Sequence, residues 1–218
     1  MGSNNNIFKN TINRQDSRSK VNQIVGHLLE GISNGQYKPG QRLVESALSR
    51  EFGISRGPLR EAMRILETKD LVELVPNRGA QIKFLAPEDI SQRFQLLEAL
   101  GNLAIANSAH SRMAHFAESL KKEQHLEKNR TLFSKAVNFY VKIARLNQDN
   151  LLAEYILKLN LDYFSRHIVD LLDLDCDRLD KQFSTMQQTI LSGSTDTAMT
   201  EHQKWCREIS AISSPCPQ

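Results

Sequence analysis

The sequence predicts a mainly α-helical protein in two parts: three helices with a β-hairpin, followed by an all-α bundle of six or seven helices. Apolar residues recur at helical spacing through most of the chain, and a single pair of β-like runs, at 71–75 and 80–84, interrupts them. The charge balance also changes along the chain. Residues 1–85 contain 13 Lys and Arg against 8 Asp and Glu, whereas residues 86–218 contain 15 against 17. A polyanionic partner for the basic half, and a different task for the second half, follow from this asymmetry.

The composition is that of a globular protein with two domains. The 218 residues are 40% hydrophobic and 24% charged, and no run approaches the 18 or more apolar residues of a membrane span. Residues 1–20 have no apolar core of the signal-peptide kind, so we expect a mobile polar tail, a cytoplasmic protein and no membrane partner. The three cysteines, Cys176, Cys206 and Cys216, are too widely spaced for a zinc cluster or a disulfide framework. The expected domains are 21–85 and 86–215.

The first domain begins with a helix over 21–35. Ile24, Leu28 and Ile32 lie at helical spacing, and Gly35 can end the helix. Pro39 and Gly40 then predict a turn.

A helix-turn-helix pair and a hairpin come next. Residues 44–52 predict a short helix that ends at Gly53, and Ser55 offers its hydroxyl as the N-cap of the following helix. Pro58 lies in the first turn of that helix, where no backbone hydrogen bond is lost. The hairpin then turns at Asn77 and Gly79. Helix, helix, turn, helix and hairpin together predict a winged helix-turn-helix.

The third helix has one apolar stripe and one stripe of arginines. Arg56, Arg60 and Arg64 are four residues apart, so they fall within an arc of about 80°. In a helix-turn-helix, the N-terminal residues of the second helix face the base edges in the DNA major groove. Arg56 and Arg60 are therefore the predicted reading residues, since a guanidinium can bond guanine O6 and N7 together. Gly57 allows the helix start to approach DNA closely, and a helix N-terminus favours a phosphate.

Simpler interpretations apply to several of these residues. A row of arginines on an amphipathic helix is usually a solvated face, and Ser46 could be only an exposed helix residue. Arg64 is expected to face solvent or to pair with Glu61 or Glu67. The position of the arginines at the start of the third helix, together with Arg78 in the hairpin, favours nucleic-acid binding.

The run PGQRLVESALSREFGISRGPLREAMRILETKDLVELVPNRGAQI closely resembles the winged-helix domain of the GntR family of bacterial transcription regulators. The resemblance implies a homodimer that binds a palindromic operator in double-stranded DNA. It assigns base reading to Arg56 and Arg60, and contacts to phosphate and the minor groove to Ser46, Arg78 and Gly79. Gly57 stands where family members usually carry Thr, so one possible hydroxyl contact is lost.

The second half predicts helices throughout. Its first helix, from Pro87, places Ile90, Phe94, Leu97, Leu100 and Leu103–Ala104 on one apolar face. The Asp-rich run 170–180 predicts a junction. Further helical runs lie near 113–128, 131–147, 149–172, 177–192 and 195–211.

This half resembles the helical FCD effector domains of the FadR-type subfamily, in which an Asp and three His hold a metal near a carboxylate effector. Ala136, Tyr140 and Gln187 replace three of those four ligands, and only His202 remains. Leu97 stands where an effector-clamping Arg is often found. One imidazole cannot hold Zn²⁺ or Ni²⁺, so we predict no metal and no cofactor.

A small-molecule site remains possible in this half. Asn138, Tyr140, Gln187 and His202 are the candidates to line a polar effector cavity. The alternative is that they are satisfied core groups or surface residues.

Two further functions compete with a ligand-responsive regulator. In one, the helical half only dimerises and binds no effector. In the other, the chain is an enzyme that uses Cys206 with His202, but the sequence shows no orienting third group, no oxyanion hole and no Gly-rich phosphate loop. We therefore predict that the chain is not an enzyme.

His167 is expected to pair at the surface with Arg166 or Asp170.

Overall fold

The computed structural model describes residues 5–75, 79–108, 116, 120 and 131–213, and the chain divides into two compact units, Met1–Phe84 and Leu85–Gln218. None of the helices in the described residues combines the length and the apolar character that crossing a membrane requires. The first unit contains α1 (Asn5–Ser33), β1 (Arg42–Leu43), α2 (Glu45–Glu51), α3 (Arg56–Thr68), β2 (Val72–Val75) and β3 (Gly79–Ile82). The second contains α4 (Pro87–Ala106), α5 (Leu132–Leu146), α6 (Asn150–Leu157), α7 (Ser165–Leu172), α8 (Cys176–Leu191) and α9 (Thr195–Ser213).

Helix α1 is longer than the sequence suggested. It begins at Asn5, so the backbone over residues 5–20, where we expected a polar tail, is helical. No proline or glycine interrupts this segment, which explains why the helical backbone can run through it. Buried packing is seen from Val21 onward and continues at Ile24, Leu28 and Ile32, as their spacing predicted.

A three-stranded antiparallel sheet completes the first unit, in the order β1-β3-β2. Strands β2 and β3 form the predicted wing, with Val75 opposite Gly79. Asn77 lies outside the described residues, so its place in the turn is not seen. The two-residue strand β1 was not predicted; Leu43 pairs with Ala80 and its side chain is buried. Two residues are too few to show a periodicity, so the pairing of β1 with β3 could not be predicted from the local sequence.

Helices α2 and α3 form the predicted helix-turn-helix. Gly53 lies between them with φ +63°, the left-handed conformation that ends α2. Leu59, Ala62, Met63 and Leu66 are all buried, which confirms the apolar stripe of α3. The predicted role of Ser55 is only half right: Ser55 occupies the N-cap position, but its side chain makes no capping hydrogen bond.

The second unit is all-helical in its described part, as predicted. The expected junction in the Asp-rich run is present, because α7 ends before Asp173 (φ +50°) and Asp175 caps α8 by accepting from the Arg178 backbone N–H at 3.0 Å. The expected helix near 113–128 lies outside the described residues, apart from two positions.

One helix prediction in this unit is wrong. The single helix expected over 149–172 is two helices, α6 and α7, separated by residues 158–164. Asn160 takes φ +54° there, a conformation that asparagine tolerates better than most residues. Leu161 and Phe164 in this segment are buried. Their spacing matches that of a helix, although the segment is not helical.

Aromatic side chains fill the centre of the second unit. Trp205, the only tryptophan of the chain, is 2% exposed and lies 5.5 to 6.0 Å, between ring centroids, from Phe94, Phe133 and Phe183. Its indole Nε1 donates to the Leu179 carbonyl at 3.2 Å. Trp205 and Phe183 are therefore core residues.

Candidate nucleic-acid interface

A groove of about 640 Å³ on the first unit brings most of the predicted DNA-binding residues together. The start of α3, the start of α2 and the β wing form its walls. Ser46, Arg56, Arg60 and Gly79, all predicted for DNA contact, line it. The full lining is Arg42, Val44, Glu45, Ser46, Arg56, Arg60, Met63, Arg64, Leu74, Val75 and Gly79.

The start of α3 is exposed along its polar side. Arg56 is the first residue of the helix, and its side chain is exposed because the buried stripe begins only at Leu59. A Cβ atom added at Gly57 would meet nothing within 4 Å, so the backbone there is open. The helix start can therefore be approached closely by a ligand, as predicted for Gly57, and the site would also accept a larger residue.

Arg60 is held by an acidic partner. Its Nε donates to both carboxylate oxygens of Glu45, at 3.0 and 2.9 Å. The hydrogen bond to the Glu45 carboxylate, and then the negative charge of that carboxylate, raise the pKa of Arg60 above its ordinary value. Glu45 lies in the first turn of α2, 15 residues earlier in the sequence. Sequence reasoning missed this pair, because only the tertiary arrangement of α2 on α3 brings the two side chains together.

Two further arginines line the groove. Arg64, which was expected to face solvent or to pair with Glu61 or Glu67, is exposed and also lines the groove. Arg42, in β1, was not singled out at all, although its position directly before the helix-turn-helix is a signal that could have identified it. Among the described residues, the groove lining therefore contains four guanidinium groups and one carboxylate.

The wing contributes the end of its hairpin next to the turn, Val75 and Gly79, to the same groove. Gly79 takes φ +86°, and a Cβ there would lie 3.1 Å from the Leu43 carbonyl oxygen, so both backbone conformation and space favour glycine. Asn77 and Arg78, predicted to contact DNA from the wing tip, lie outside the described residues.

In the second unit, two of the four effector candidates bond to each other. Tyr140 and His202 are fully buried, and Tyr140 Oη lies 2.7 Å from His202 Nδ1. His202 Nε2 faces the carbonyl oxygens of Leu97 and Glu98, each at 3.2 Å. Because carbonyls only accept, Nε2 carries the proton, and Nδ1 accepts from the tyrosine hydroxyl.

Burial explains why this histidine stays neutral. Desolvation lowers the pKa of His202 from 6.5 to about 4. It outweighs the hydrogen bonds from Nε2 to the two backbone carbonyls, which raise the pKa. Burial also raises the pKa of Tyr140 well above 10, so its hydroxyl keeps its proton. Gly101 makes room for the ring, since a Cβ there would lie 2.3 Å from His202 Nε2. Each polar atom of the pair is used within the core.

The other two effector candidates lie elsewhere. Asn138 lines a surface pocket of about 330 Å³ whose other polar residues are Ser134, Arg145 and Asp162. Gln187 is half-buried on α8 and does not line that pocket. The structure therefore pairs Tyr140 with His202 and separates Asn138 from both.

The contacts of the remaining candidates are structural. His202 Nδ1 lies 3.7 Å from Cys206 Sγ, but burial raises the pKa of this thiol well above 9, so it is not a ready nucleophile. His167, expected to pair at the surface with Arg166 or Asp170, has its Nε2 3.1 Å from the Leu85 carbonyl oxygen. Within the described ranges, no group of three His, Cys, Asp or Glu side chains could hold a metal ion.

Comparison with protein families identifies the first unit. Residues 20–82 match the family model described as bacterial regulatory proteins, gntR family. This chain carries a GntR-family helix-turn-helix domain. The match covers α2, α3 and the wing, and thus every residue that lines the groove.

Curated relatives of this chain are named as transcriptional regulators, not as enzymes. An uncharacterized HTH-type transcriptional regulator, YdhC of Bacillus subtilis, is 37% identical over 83 residues, which cover 38% of this chain and 37% of the relative. The Uxu operon regulator of Haemophilus influenzae is 28% identical over 165 residues, or 67% of this chain and 60% of the relative. The chain thus spans between 37% and 60% of the length of the first curated relatives it matches.

Solved structures share the fold of this chain over most of its length. A putative transcriptional regulator GntR from Rhodococcus sp. RHA1 matches with a TM-score of 0.68 and 21% identity, over 89% of this chain and 97% of the other. E. coli McbR/YncC matches with a TM-score of 0.63 and 18% identity, over 89% and 96%. The likeness establishes a winged helix with an all-α second domain.

Proposed function

We propose that this protein is a sequence-specific DNA-binding transcriptional regulator that acts in the bacterial cytoplasm. The observation that carries the proposal is the groove of the first unit, where Ser46, Arg56, Arg60 and Gly79 come together from three separate elements. Four arginines against one glutamate favour a polyanion, and the family match to regulatory proteins agrees with that chemistry.

In this proposal, α3 enters the major groove with its N-terminal end foremost. Arg56 and Arg60 read base edges, where a planar guanidinium can bond guanine O6 and N7 together. Ser46 and the exposed backbone at Ser55 and Gly57 contact phosphate, since the N–H groups of a helix start are available to an anion. Arg42 and Arg64 add charge to the groove walls.

The wing completes the contact. Asn77, Arg78 and Gly79 are proposed to reach the phosphates or the minor groove beside the recognition helix. This role rests on the family resemblance and on the position of Gly79 directly after the turn of the wing, in the groove lining.

We propose that the protein binds a palindromic operator as a homodimer. Helix α4 supports this because Leu96 and Leu103, seven residues apart and so on one face, are 54% and 47% exposed. Large apolar side chains grouped on a helix commonly mark an interface. Sedimentation equilibrium of the wild type and of Leu96→Lys tests this arrangement: the variant should shift toward the monomer.

We propose that the second unit is a FadR-type effector domain that binds a small carboxylate without metal. Tyr140 and His202 satisfy each other in the core, so the ligand is placed in the pocket of Asn138 and Arg145 rather than beside them. The Arg145 guanidinium suits a carboxylate, and the apolar lining residues Val137, Val141 and Leu157 suit a short carbon chain.

A thermal-shift screen with carboxylates and sugar acids tests the effector. A ligand at 100 times its dissociation constant stabilises the protein by about 2.7 kcal/mol, and Arg145→Gln should abolish the shift. If no compound of the panel stabilises the wild type, the alternative that the helical unit only dimerises is favoured.

The DNA-binding proposal is tested with Arg56→Ala. A bidentate base contact contributes about 1–3 kcal/mol, so the variant should lose roughly 10- to 100-fold in operator affinity per half-site. Fluorescence anisotropy with an operator selected by the wild type measures the change. Arg166→Ala, which removes an exposed arginine of α7 in the second unit, is the charge-matched control. Unchanged affinity in Arg56→Ala would remove this residue from base reading.

A further inference from the structure

The Arg60–Glu45 pair is unusual in its place on the molecule. A carboxylate at a surface that binds DNA repels phosphates, so an acidic residue there needs a compensating role. Glu45 lines the groove, and its side chain is 21% exposed, compared with 58% for Arg60. The glutamate is therefore the more enclosed partner, and the arginine extends beyond it.

The hydrogen bonds use only one edge of the guanidinium. Both run from Arg60 Nε to Glu45, and the two terminal Nη groups make no hydrogen bond within the described residues. The Nη pair is the part of an arginine that can bond O6 and N7 of one guanine end-on. Holding Nε thus fixes the side chain near its base and leaves its reading end available.

The pair also controls charge. An arginine without a partner is attracted by any phosphate, and its long side chain can reach several of them. Glu45 cancels most of this attraction at Arg60. In the part of the chain that the structure describes, Arg56 makes no such ion pair, so the two reading arginines differ in their surroundings.

We propose that Glu45 is a specificity-determining positioning residue: it holds Arg60 through Nε so that the Nη groups face a guanine, and it suppresses the pairing of Arg60 with phosphates. The inference rests on the proposed DNA-binding function. Removing the carboxylate frees Arg60 to rotate and adds one positive charge per half-site. Affinity for unrelated DNA then rises, its salt dependence steepens, and discrimination at one base pair falls.

The experiment uses the full-length protein and an operator that the wild type selects from random duplexes. Arg60→Ala first identifies the base pair at which preference is lost. Affinities are then measured by anisotropy, at two salt concentrations, for the selected operator, the operator changed at that base pair, and an unrelated duplex.

Two variants and one control separate charge from geometry. Glu45→Gln removes the charge and keeps the size, whereas Glu45→Asp keeps the charge but shortens the reach to Nε. Glu61→Gln, which removes a carboxylate from an exposed position of α3 outside the groove lining, is the control. Melting curves of each variant verify that the fold is intact.

We expect Glu45→Gln to reduce discrimination at the Arg60-dependent base pair by about tenfold per half-site, the scale of one bidentate contact. Its affinity for unrelated DNA should rise, with a salt slope steeper by about 0.9 per half-site. Glu45→Asp should lose discrimination without that rise, and Glu61→Gln should retain the wild-type preference.

Three results would overturn the inference in distinguishable ways. Full discrimination in Glu45→Gln would show that the pair has no role in reading. An equal loss of affinity for all three duplexes would show a purely structural role for Glu45. A wild type that selects no sequence would overturn the proposed function itself, and the inference with it.

Discussion

Acidification should destabilise the second unit through His202. The folded-state pKa of about 4 lies below the ordinary value of 6.5 because the imidazole is buried. Between these two values the unfolded chain takes up a proton that the folded chain does not. The stability associated with neutral His202 is therefore fully present above pH 6.5 and is lost as the pH falls toward 4.

The size of the effect follows from the two pKa values. Each unit of difference corresponds to about 1.4 kcal/mol, and integration between pH 7 and pH 4.5 gives a loss of about 2 kcal/mol in the free energy of unfolding. His202→Gln removes the titrating group while keeping an amide that can bond Tyr140 and the backbone carbonyls. The variant should therefore lose about 2 kcal/mol less than the wild type over the same pH range.

Urea unfolding followed by Trp205 fluorescence is the suitable assay. Trp205 is the only tryptophan and lies in the core of the second unit, so its signal reports that unit rather than the whole chain. His27→Gln, which removes an exposed imidazole from the first unit, is the control and should follow the wild type. Equal losses of stability in the wild type and His202→Gln between pH 7 and pH 4.5 would refute the reasoning.

Three further predictions concern the same core, a surface glycine and metal. Gly101→Ala should lower the free energy of unfolding by about 1–3 kcal/mol, because the added Cβ would lie 2.3 Å from His202 Nε2. Gly26→Ala, where the added Cβ would meet nothing within 4 Å, should raise it by up to about 1 kcal/mol. Urea midpoints of the two variants that move in the same direction would contradict this contrast. Tyr140→Phe should lower stability by about 1–3 kcal/mol by leaving His202 Nδ1 without its donor, and an unchanged urea midpoint would count against the hydrogen bond. Treatment with EDTA should change neither the melting temperature nor the affinity for DNA, and elemental analysis that finds one tightly held transition-metal ion per chain would reverse this expectation.

Helix α3 could be predicted in detail because its signals are local. The apolar stripe from Leu59 to Leu66 and the turn at Gly53 depend on near neighbours in sequence, and the structure has both. The exposed stripe of Arg56, Arg60 and Arg64 follows from the same periodicity. The residues around that stripe could not be predicted from periodicity, because Glu45 reaches Arg60 only through the packing of α2 against α3.

The remaining differences also arise from long-range contacts. Residues 149–172 have continuous apolar spacing, yet the burial of Leu161 and Phe164 together with the left-handed Asn160 divides the segment into two helices. Tyr140 and His202 were both chosen as polar core candidates, but their mutual hydrogen bond joins residues 62 positions apart. Single-sequence patterns do not report such pairings.

Strand β1 has a consequence for changes in chain length. Because Leu43 is paired with Ala80, the start of α2 is tied to the sheet. The turn at Pro39 is tied to it as well, since Gly40 N–H donates to the Ile82 carbonyl, so insertions that leave Glu45 in place are expected before residue 38. One residue inserted between Leu43 and Glu45 would instead rotate α2 by about 100° relative to the sheet and carry Glu45 away from Arg60. Homologous chains are therefore expected to vary in length before this strand and to keep it constant after the strand.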